Sequence, residues 1–286
     1  LGLTIDDAIS STITMENFEI TTDSTDIGNI TGGSLDLKGF VSISVGEIDA
    51  GSGQLTIKRQ SGSNSDPGAT DTTIVTQSYF QFGGANIDVL NGTFSGGVKR
   101  VLYYKTQNSV YLNVDSAAVG FNGVVTLEAS MEYLKKPNGF KLMVAGGGSV
   151  GGSFPGGAID IAAMGKISTL QNELALGVFV KAELSTGVPL FPGIAYIGGF
   201  GGGFFLNPEA SDFNTVAGLV GYNPNAGERT PPWQKPQNQD LDFAVMIYGA
   251  VDIVGMGGAY AYSAEAYLVV TDNFISLDAK IGRAHV

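Results

Sequence analysis

The sequence has no cysteine and a single histidine, His285. The missing cysteine excludes disulfide bonds, iron–sulfur clusters, cysteine-ligated zinc and cysteine nucleophiles. Basic residues are also scarce, because 15 Lys and Arg face 27 Asp and Glu, which gives a formal net charge of −12 at pH 7. Recognition of phosphates needs a basic face, so this balance argues against a nucleic-acid partner.

Charged residues make up only 15% of the chain, whereas 43% of its residues are hydrophobic. This composition can supply a core, and we expect a folded protein rather than a disordered one. The uncharged stretch Ser185–Pro208 is interrupted by prolines and glycines, which do not suit a helix that spans a bilayer. We expect no transmembrane helix, and interpret this stretch as a buried hairpin with PGIAYIG and FGGGFFL as its strands.

Alternation of apolar and polar residues is the main pattern in the chain. Every second residue of Val125–Tyr133 is apolar, and Leu174–Leu184 shows the same alternation. A period of two is typical of β-strands with one buried face. Turn residues such as those of Lys135–Gly139 join neighbouring runs, as in hairpins. The sequence predicts an all-β fold of glycine-rich antiparallel hairpins in an extended or sandwich-like sheet assembly.

One continuous β assembly is expected over 1–280, as a fragment of a longer protein. A sub-boundary is placed at the glycine-rich stretch 145–157, which is interpreted as a loop. The segment 207–240 contains several prolines and no sustained alternation, which predicts a long loop outside the sheet. Residues 281–286, IGRAHV, match the translation of a common sequencing adapter, and we interpret them as a non-native tail.

A short internal repeat relates two glycine-bounded segments. Gly157–Gly165 matches Gly249–Gly257 in most positions, which predicts two equivalent strands. Neighbouring residues of a strand point to opposite faces. We therefore expect Ile161 and Ile253 on a buried face and the aspartates before them on the opposite face.

No catalytic residue is predicted, and no cofactor. Gly147–Gly151 matches the pattern of a nucleophile elbow, but that motif needs a following helix and a histidine base. Glu128 and Glu132 lie on one face of a predicted strand, as paired carboxylates of a glycosidase could. Alternating acids on the polar face of a sheet have the same appearance, so no pair is assigned a role.

The remaining candidates are binding residues. Asp23, Asp26 and Asn29 are the candidate calcium ligands, although their spacing is not that of an EF-hand. Trp233 and Tyr222 lie in the predicted long loop, and they are the candidate contacts to a partner because aromatic side chains supply large contact areas.

The segment Ile194–Asn207, IAYIGGFGGGFFLN, is flanked by alternating strands. It resembles glycine-rich, strand-repeat modules of very large bacterial proteins of unknown function. The resemblance implies a module of a long exported protein. We expect a non-enzymatic structural or interaction module of a large secreted or cell-surface protein. Its partners would be other segments of the same long chain or a surface partner, and its location extracellular or at the cell surface.

Two alternatives stay open. Strands of outer-membrane barrels alternate apolar residues outward with small or polar residues inward. The segment YGAVDIVGMGGAYAYSAEAYLVV has this pattern, so a segment of an outer-membrane β-barrel is the first alternative. A β-sheet groove that binds lipid is the second.

Overall fold

The computed structural model describes ten stretches of the chain: 12–15, 33–36, 41–57, 72–90, 93–122, 124–151, 157–170, 173–220, 240–254 and 260–282. Strands occupy most of these residues, and the predicted all-β fold is confirmed. One short helix, Ala210–Leu219, is present among them. No helix in these stretches is long and apolar enough to cross a membrane.

The chain forms two compact units. Unit 1 comprises Leu1–Ala117 and Met131–Pro137, and unit 2 comprises Ala118–Ser130 and Asn138–Val286. The division passes through two strands, β7 and β8, whose bounds are Val110–Phe121 and Val125–Lys136. Each unit therefore contains a part of both strands.

Unit 1 is an antiparallel sheet in which β5 is the longest strand. Besides parts of β7 and β8, its strands are β1 (Thr12–Met15), β2 (Gly33–Asp36), β3 (Val41–Val45), β4 (Ile48–Ile57), β5 (Thr72–Val89) and β6 (Phe94–Lys105). Two strands, β3 and β4, share one edge of β5 in a single register, since Val45 lies opposite Ala85 and Ile48 lies opposite Phe82. Between them a Cβ on Gly46 would lie 2.9 Å from the backbone of Gly83, so the close approach requires glycine.

Unit 2 contains β9 (Gly139–Val150), β10 (Ile159–Ser168), β11 (Ala175–Phe191), β12 (Ala195–Leu206), α1 (Ala210–Leu219), β13 (Phe243–Val254), β14 (Tyr260–Thr271) and β15 (Ile275–Gly282). Strands β9 to β15 pair in chain order and form an up-and-down antiparallel sheet. Such a meander needs only short connections between neighbours. The helix α1 lies between β12 and β13 in the chain.

One face of this sheet carries the core of unit 2, and we call it the helix face. Phe179, Phe205 and Met246 are fully buried there and belong to one cluster with the α1 residues Phe213 and Val216. The strand residues come together because they occupy facing positions in register. For example, Phe179 lies opposite Gly203, which lies opposite Met246.

The opposite face of β10 to β15, which we call the apolar face, carries no charged side chain at its paired positions in the described residues. It consists of aliphatic, aromatic and glycine residues. Many of these side chains are exposed: Val178 is 59% and Phe200 58% accessible. Other exposed members of the apolar face are Leu176, Val180, Phe204, Ile247, Ile253, Tyr262, Ile275 and Leu277.

The structure corrects two expectations about the strands. The glycine-rich stretch 145–157, predicted as a loop, continues β9 as far as Val150, because its glycines pack against neighbouring backbones rather than turning. PGIAYIG and FGGGFFL, predicted as two strands of a hairpin, belong largely to one strand, β12. The hairpin partner of β12 is β11.

The repeat segments are placed on β10 and β13, with Ile161 and Ile253 on the side opposite Asp160 and Asp252, as expected. The expected burial of the two isoleucines is wrong, because both are on the exposed apolar face. The core forms on the other face, where α1 covers the sheet.

Two further expectations concern the long loop and the tail. Segment 207–240 contains helix α1, and its part 221–239 lies outside the described residues. Ile281 and Gly282, assigned to the non-native tail, continue β15 and pair with Ala264 and Ser263.

Candidate functional site

A buried ion cluster joins α1 to the sheet. The Lys166 ammonium lies on the helix face of β10 and donates to Asp212 Oδ2 at 2.9 Å. It is also 2.9 Å from Glu209 Oε2. The side chains of Lys166 and Asp212 are each only 1% accessible, whereas that of Glu209 is 29% accessible. A buried ammonium is tolerated only with such partners, since an isolated charge in a core is very costly.

The same aspartate fixes the start of α1. Asp212 lies in the first turn, and its Oδ2 accepts a hydrogen bond from the Glu209 backbone N–H at 2.8 Å. A negative charge in the first turn also suits the helix dipole. Asp212 Oδ1, in contrast, is buried without a hydrogen-bond partner among the described residues.

The electrostatics of Glu209 follow from this cluster. Burial by itself would raise the pKa of Glu209, but the hydrogen bond and charge of Lys166 act in the opposite direction, with help from Lys141 and Ser211. The pKa of Glu209 is consequently lowered from its ordinary value. Glu209 is thus held in its ionised form by the lysine beside it.

A second polar group lies further along the helix face. Lys181 is buried, its Nζ is 2.8 Å from Glu183 Oε1, and it lies 4.9 Å from the centroid of the Tyr248 ring. The Tyr248 hydroxyl donates to the same Glu183 oxygen at 2.8 Å. Burial, followed by the hydrogen bond and charge of Glu183, raises the pKa of Tyr248. Tyr248 therefore stays a hydrogen-bond donor over the whole physiological pH range.

Glycines on the helix face make room for large side chains of the neighbouring strand. A Cβ on Gly177 would lie 2.6 Å from Phe205 Cδ1, and one on Gly201 would lie 3.2 Å from Lys181 Cβ. Gly177 and Phe205 are direct cross-strand partners. An aromatic ring that covers a cross-strand glycine is a known way of pinning strand register.

An open cleft of about 360 Å³ lies beside Lys181 on unit 2. Its polar side chains come from four successive strands, β8 to β11, and its apolar lining comes from β10 and α1. The residues that line it are Thr126, Gly148, Ser149, Asp160, Ile161, Ala162, Lys181, Glu183 and Leu219.

Unit 1 has its own polar cluster. Arg100 and Asp115 form a two-point ion pair, with Nε 2.8 Å from Oδ2 and Nη2 donating to Oδ1 at 3.2 Å. Tyr104 and Tyr111 stack with ring centroids 5.0 Å apart. Burial and then the charge of Glu132 raise the pKa of both tyrosines, that of Tyr111 to about 12. Both hydroxyls remain protonated at neutral pH, so neither is suited to act as a base.

Charge is fully segregated in β10 to β15. Register and alternation place every charged residue of these strands on the helix face. They are Asp160, Lys166, Lys181, Glu183, Asp252, Glu265, Asp278 and Lys280.

The described structure does not bring together the candidate residues that were predicted from the sequence. Asp23, Asp26 and Asn29 lie outside the described residues, as do Trp233 and Tyr222. Gly147–Val150 lies within β9, so the nucleophile-elbow pattern has no turn into a helix. Within the described stretches, no group of three or more His, Cys, Asp or Glu side chains could hold a metal ion.

Sequence reasoning missed the ion cluster because it missed α1. The signal was present: Phe213, Val216, Ala217 and Val220 follow the helical spacing i, i+3, i+4, i+7, and all four are buried. An acid at the third position of the helix is a further start signal. The prolines on both sides of this short segment indicated a loop instead of a helix.

No family model, curated protein or solved structure matches this chain.

Proposed function

We propose that the chain forms part of the wall of a membrane-embedded β structure, in which the apolar face of unit 2 contacts lipid hydrocarbon. Its role is structural and non-enzymatic. The observation that carries the proposal is the segregation of charge: every charged residue of β10 to β15 is on the helix face, while Val178, Phe200 and Ile247 are exposed on the other. In a sheet that faces water, the polar face is exposed and the apolar face is covered by the core.

The lengths of the strands support this assignment. β9, β12, β13 and β14 each contain 12 residues. At a rise of about 3.3 Å per residue such a strand extends about 40 Å, and a tilt of about 45° leaves about 28 Å across the bilayer. The hydrocarbon core of a bilayer is about 30 Å thick. These four strands therefore match the thickness that they would have to cross, whereas β10, β11 and β15 contain 10, 17 and 8 residues.

The chemistry of the helix face supports it as well. Membrane-embedded sheets keep polar side chains on the face turned away from lipid. Here that face carries the ion pairs of Lys166 and Lys181 and a covering helix. A charged residue on a lipid face would cost about 2–4 kcal/mol at the bilayer centre, which explains why the apolar face has none.

The rival proposals place something else on the apolar face. In a module of a secreted or cell-surface protein, another segment of the same long chain would cover it. In a lipid-binding groove, a few lipid molecules would cover it without insertion into a bilayer. The proposals differ in whether apolar-face residues are accessible to solutes dissolved in the bilayer.

The chain has no cysteine, so single-cysteine spin labels can be placed without background. We would reconstitute the full chain with phosphatidylcholine vesicles and label Val178→Cys, Phe200→Cys and Ile247→Cys. Collisions with oxygen, which concentrates in the bilayer, are compared with collisions with a water-soluble nickel chelate. Apolar-face labels should favour oxygen.

Labels on the helix face, at Asp160→Cys and Asp278→Cys, are the matched controls and should favour the nickel chelate. A chain that stays in the aqueous fraction overturns the proposal, as do apolar-face labels that collide freely with nickel. Apolar-face labels protected from both reagents would mean that protein covers the face, and would favour the secreted or surface module.

A further inference from the structure

We propose that the cleft on the helix face of unit 2 is a binding site for the ammonium group of a small organic amine. The cleft has a volume of about 360 Å³, which is at the lower end of the range for small-molecule sites. It lies on the face away from the proposed lipid contact, so the proposal goes beyond the structural role and does not depend on it.

The floor of the cleft is a transverse row of polar residues on successive strands. Ser149 on β9 lies opposite Asp160 on β10, which lies opposite Glu183 on β11. On the other side of Ser149, toward β8, its hydroxyl oxygen lies 2.8 Å from the hydroxyl oxygen of Thr126. Directly opposed residues have Cβ atoms about 4.5–5.5 Å apart. Two hydroxyls and two carboxylates therefore form one short row.

The charge in this row is not balanced. Asp160 and Glu183 are direct cross-strand partners of like charge, an arrangement that destabilises a sheet. Lys181 neutralises only one of them, and the remaining charge of the three side chains is −1 (two acids and one lysine). Among the described residues Asp160 makes no ion pair, and it is exposed to the cleft. A bound cation would remove the imbalance.

Lys181 is paired with Glu183 and not with Asp160. Lys181 is buried, its Nζ lies over the Tyr248 ring, and Glu183 Oε1 accepts from both Lys181 and Tyr248. These contacts hold Lys181 between Glu183 and Tyr248, and Glu183 Oε2 makes no hydrogen bond or ion pair among the described residues. The polar atoms left for a ligand are thus Glu183 Oε2, the Asp160 carboxylate and the two hydroxyl oxygens.

This set of acceptors suits an ammonium group better than a metal ion. An ammonium offers three N–H donors, which match the two carboxylates and one hydroxyl. A hard divalent ion takes six or more oxygen ligands, and the described residues hold no group of three or more acidic, histidine or cysteine side chains placed to bind a metal ion. Leu219 of α1 and Ala162 line the same cleft, and they can contact the carbon chain of an amine. The ligand class is therefore a small alkylammonium.

Binding is tested on the folded full chain by ligand-observed NMR with n-butylammonium as the probe. The neutral probe n-butanol and the anionic probe butyrate have the same carbon chain and act as ligand controls. We expect saturable millimolar binding of n-butylammonium that weakens as salt rises, and much weaker binding of the other two probes. Equal binding of n-butanol, or no saturable binding of n-butylammonium, overturns the proposal.

The site is assigned with two matched variants. Asp160→Asn keeps the shape of the side chain and removes its repulsion with Glu183, so folding should be preserved while the affinity for n-butylammonium falls about tenfold. Asp278→Asn removes an acid from the same face of the sheet, but on β15, which lies three strands beyond β12. This control should leave the affinity unchanged. An equal loss in both variants would mean a general effect of the acidic face, and would contradict a site in the cleft.

Discussion

Lys166 and Asp212 are 46 residues apart in the chain and form a 2.9 Å ion pair that is almost wholly excluded from solvent. This contact joins the helix face of β10 to the first turn of α1. Asp212 also accepts the Glu209 backbone N–H, so one carboxylate both starts the helix and attaches it to the sheet. This buried pair therefore adds a polar attachment to the apolar packing of Phe213 and Val216 against the sheet.

Removing the lysine should destabilise unit 2 strongly. Lys166→Met leaves Asp212 buried without its cation, and breaking one side of a buried pair costs about 3–5 kcal/mol. Denaturant unfolding, followed by circular dichroism, measures the free energy of unfolding. The double variant Lys166→Met/Asp212→Leu should recover part of the loss, because no uncompensated charge remains. A single variant as stable as the parent chain would show that the pair contributes nothing.

Stability should also fall in acid because of Glu209. Its pKa in the folded chain is lowered from the ordinary value of 4.5. A carboxyl group of this kind stabilises the folded state fully above pH 4.5, and the contribution is lost as the pH falls through the folded pKa. The free energy of unfolding, measured from pH 6 downward, should show this loss. Glu209→Gln should flatten that part of the profile, and an unchanged profile would contradict the role given to Lys166.

Asp252 should behave in the opposite way. Burial first, and then the charge of Glu265, raise its pKa above the ordinary value of 3.8. The ionised carboxylate therefore costs stability at neutral pH, and the cost disappears below pH 3.8. Asp252→Asn should raise the free energy of unfolding at pH 7, with no gain in strong acid. Asp278→Asn, an exposed acid on the same face, serves as the control and should change little.

Alternation in the sequence predicted the strands and the division of residues between two faces. Leu176, Val178 and Val180 do share one face of β11, as the period of two requires. What the pattern could not assign was which face would be covered. The core forms on the face of Phe179 and Lys181, because α1 packs there.

The candidate site could not be predicted for a related reason. Asp160, Glu183 and Ser149 form one row only through the register of three strands, and register is fixed by packing between strands rather than by the pattern within each. The partnership of Lys166 with α1 likewise spans 46 residues. Local periodicity carries no information about such distant pairs.

The last prediction concerns the aromatic ring that covers a glycine. Gly177 is the cross-strand partner of Phe205, which is fully buried, so a Cβ at Gly177 would meet Cδ1 at 2.6 Å and Cε1 at 2.8 Å. Because the ring has no free space into which to move, Gly177→Ala should lower the free energy of unfolding by about 1–3 kcal/mol. Gly165→Ala is the matched control: it lies on the apolar face of the neighbouring strand with nothing within 4 Å of its Cβ, and it should stabilise by about 0.5–1 kcal/mol. Gly177→Ala/Phe205→Leu should regain stability relative to Gly177→Ala if the clash with the ring is the cause. Equal effects of the two single variants in denaturant unfolding would contradict the contact between Gly177 and Phe205.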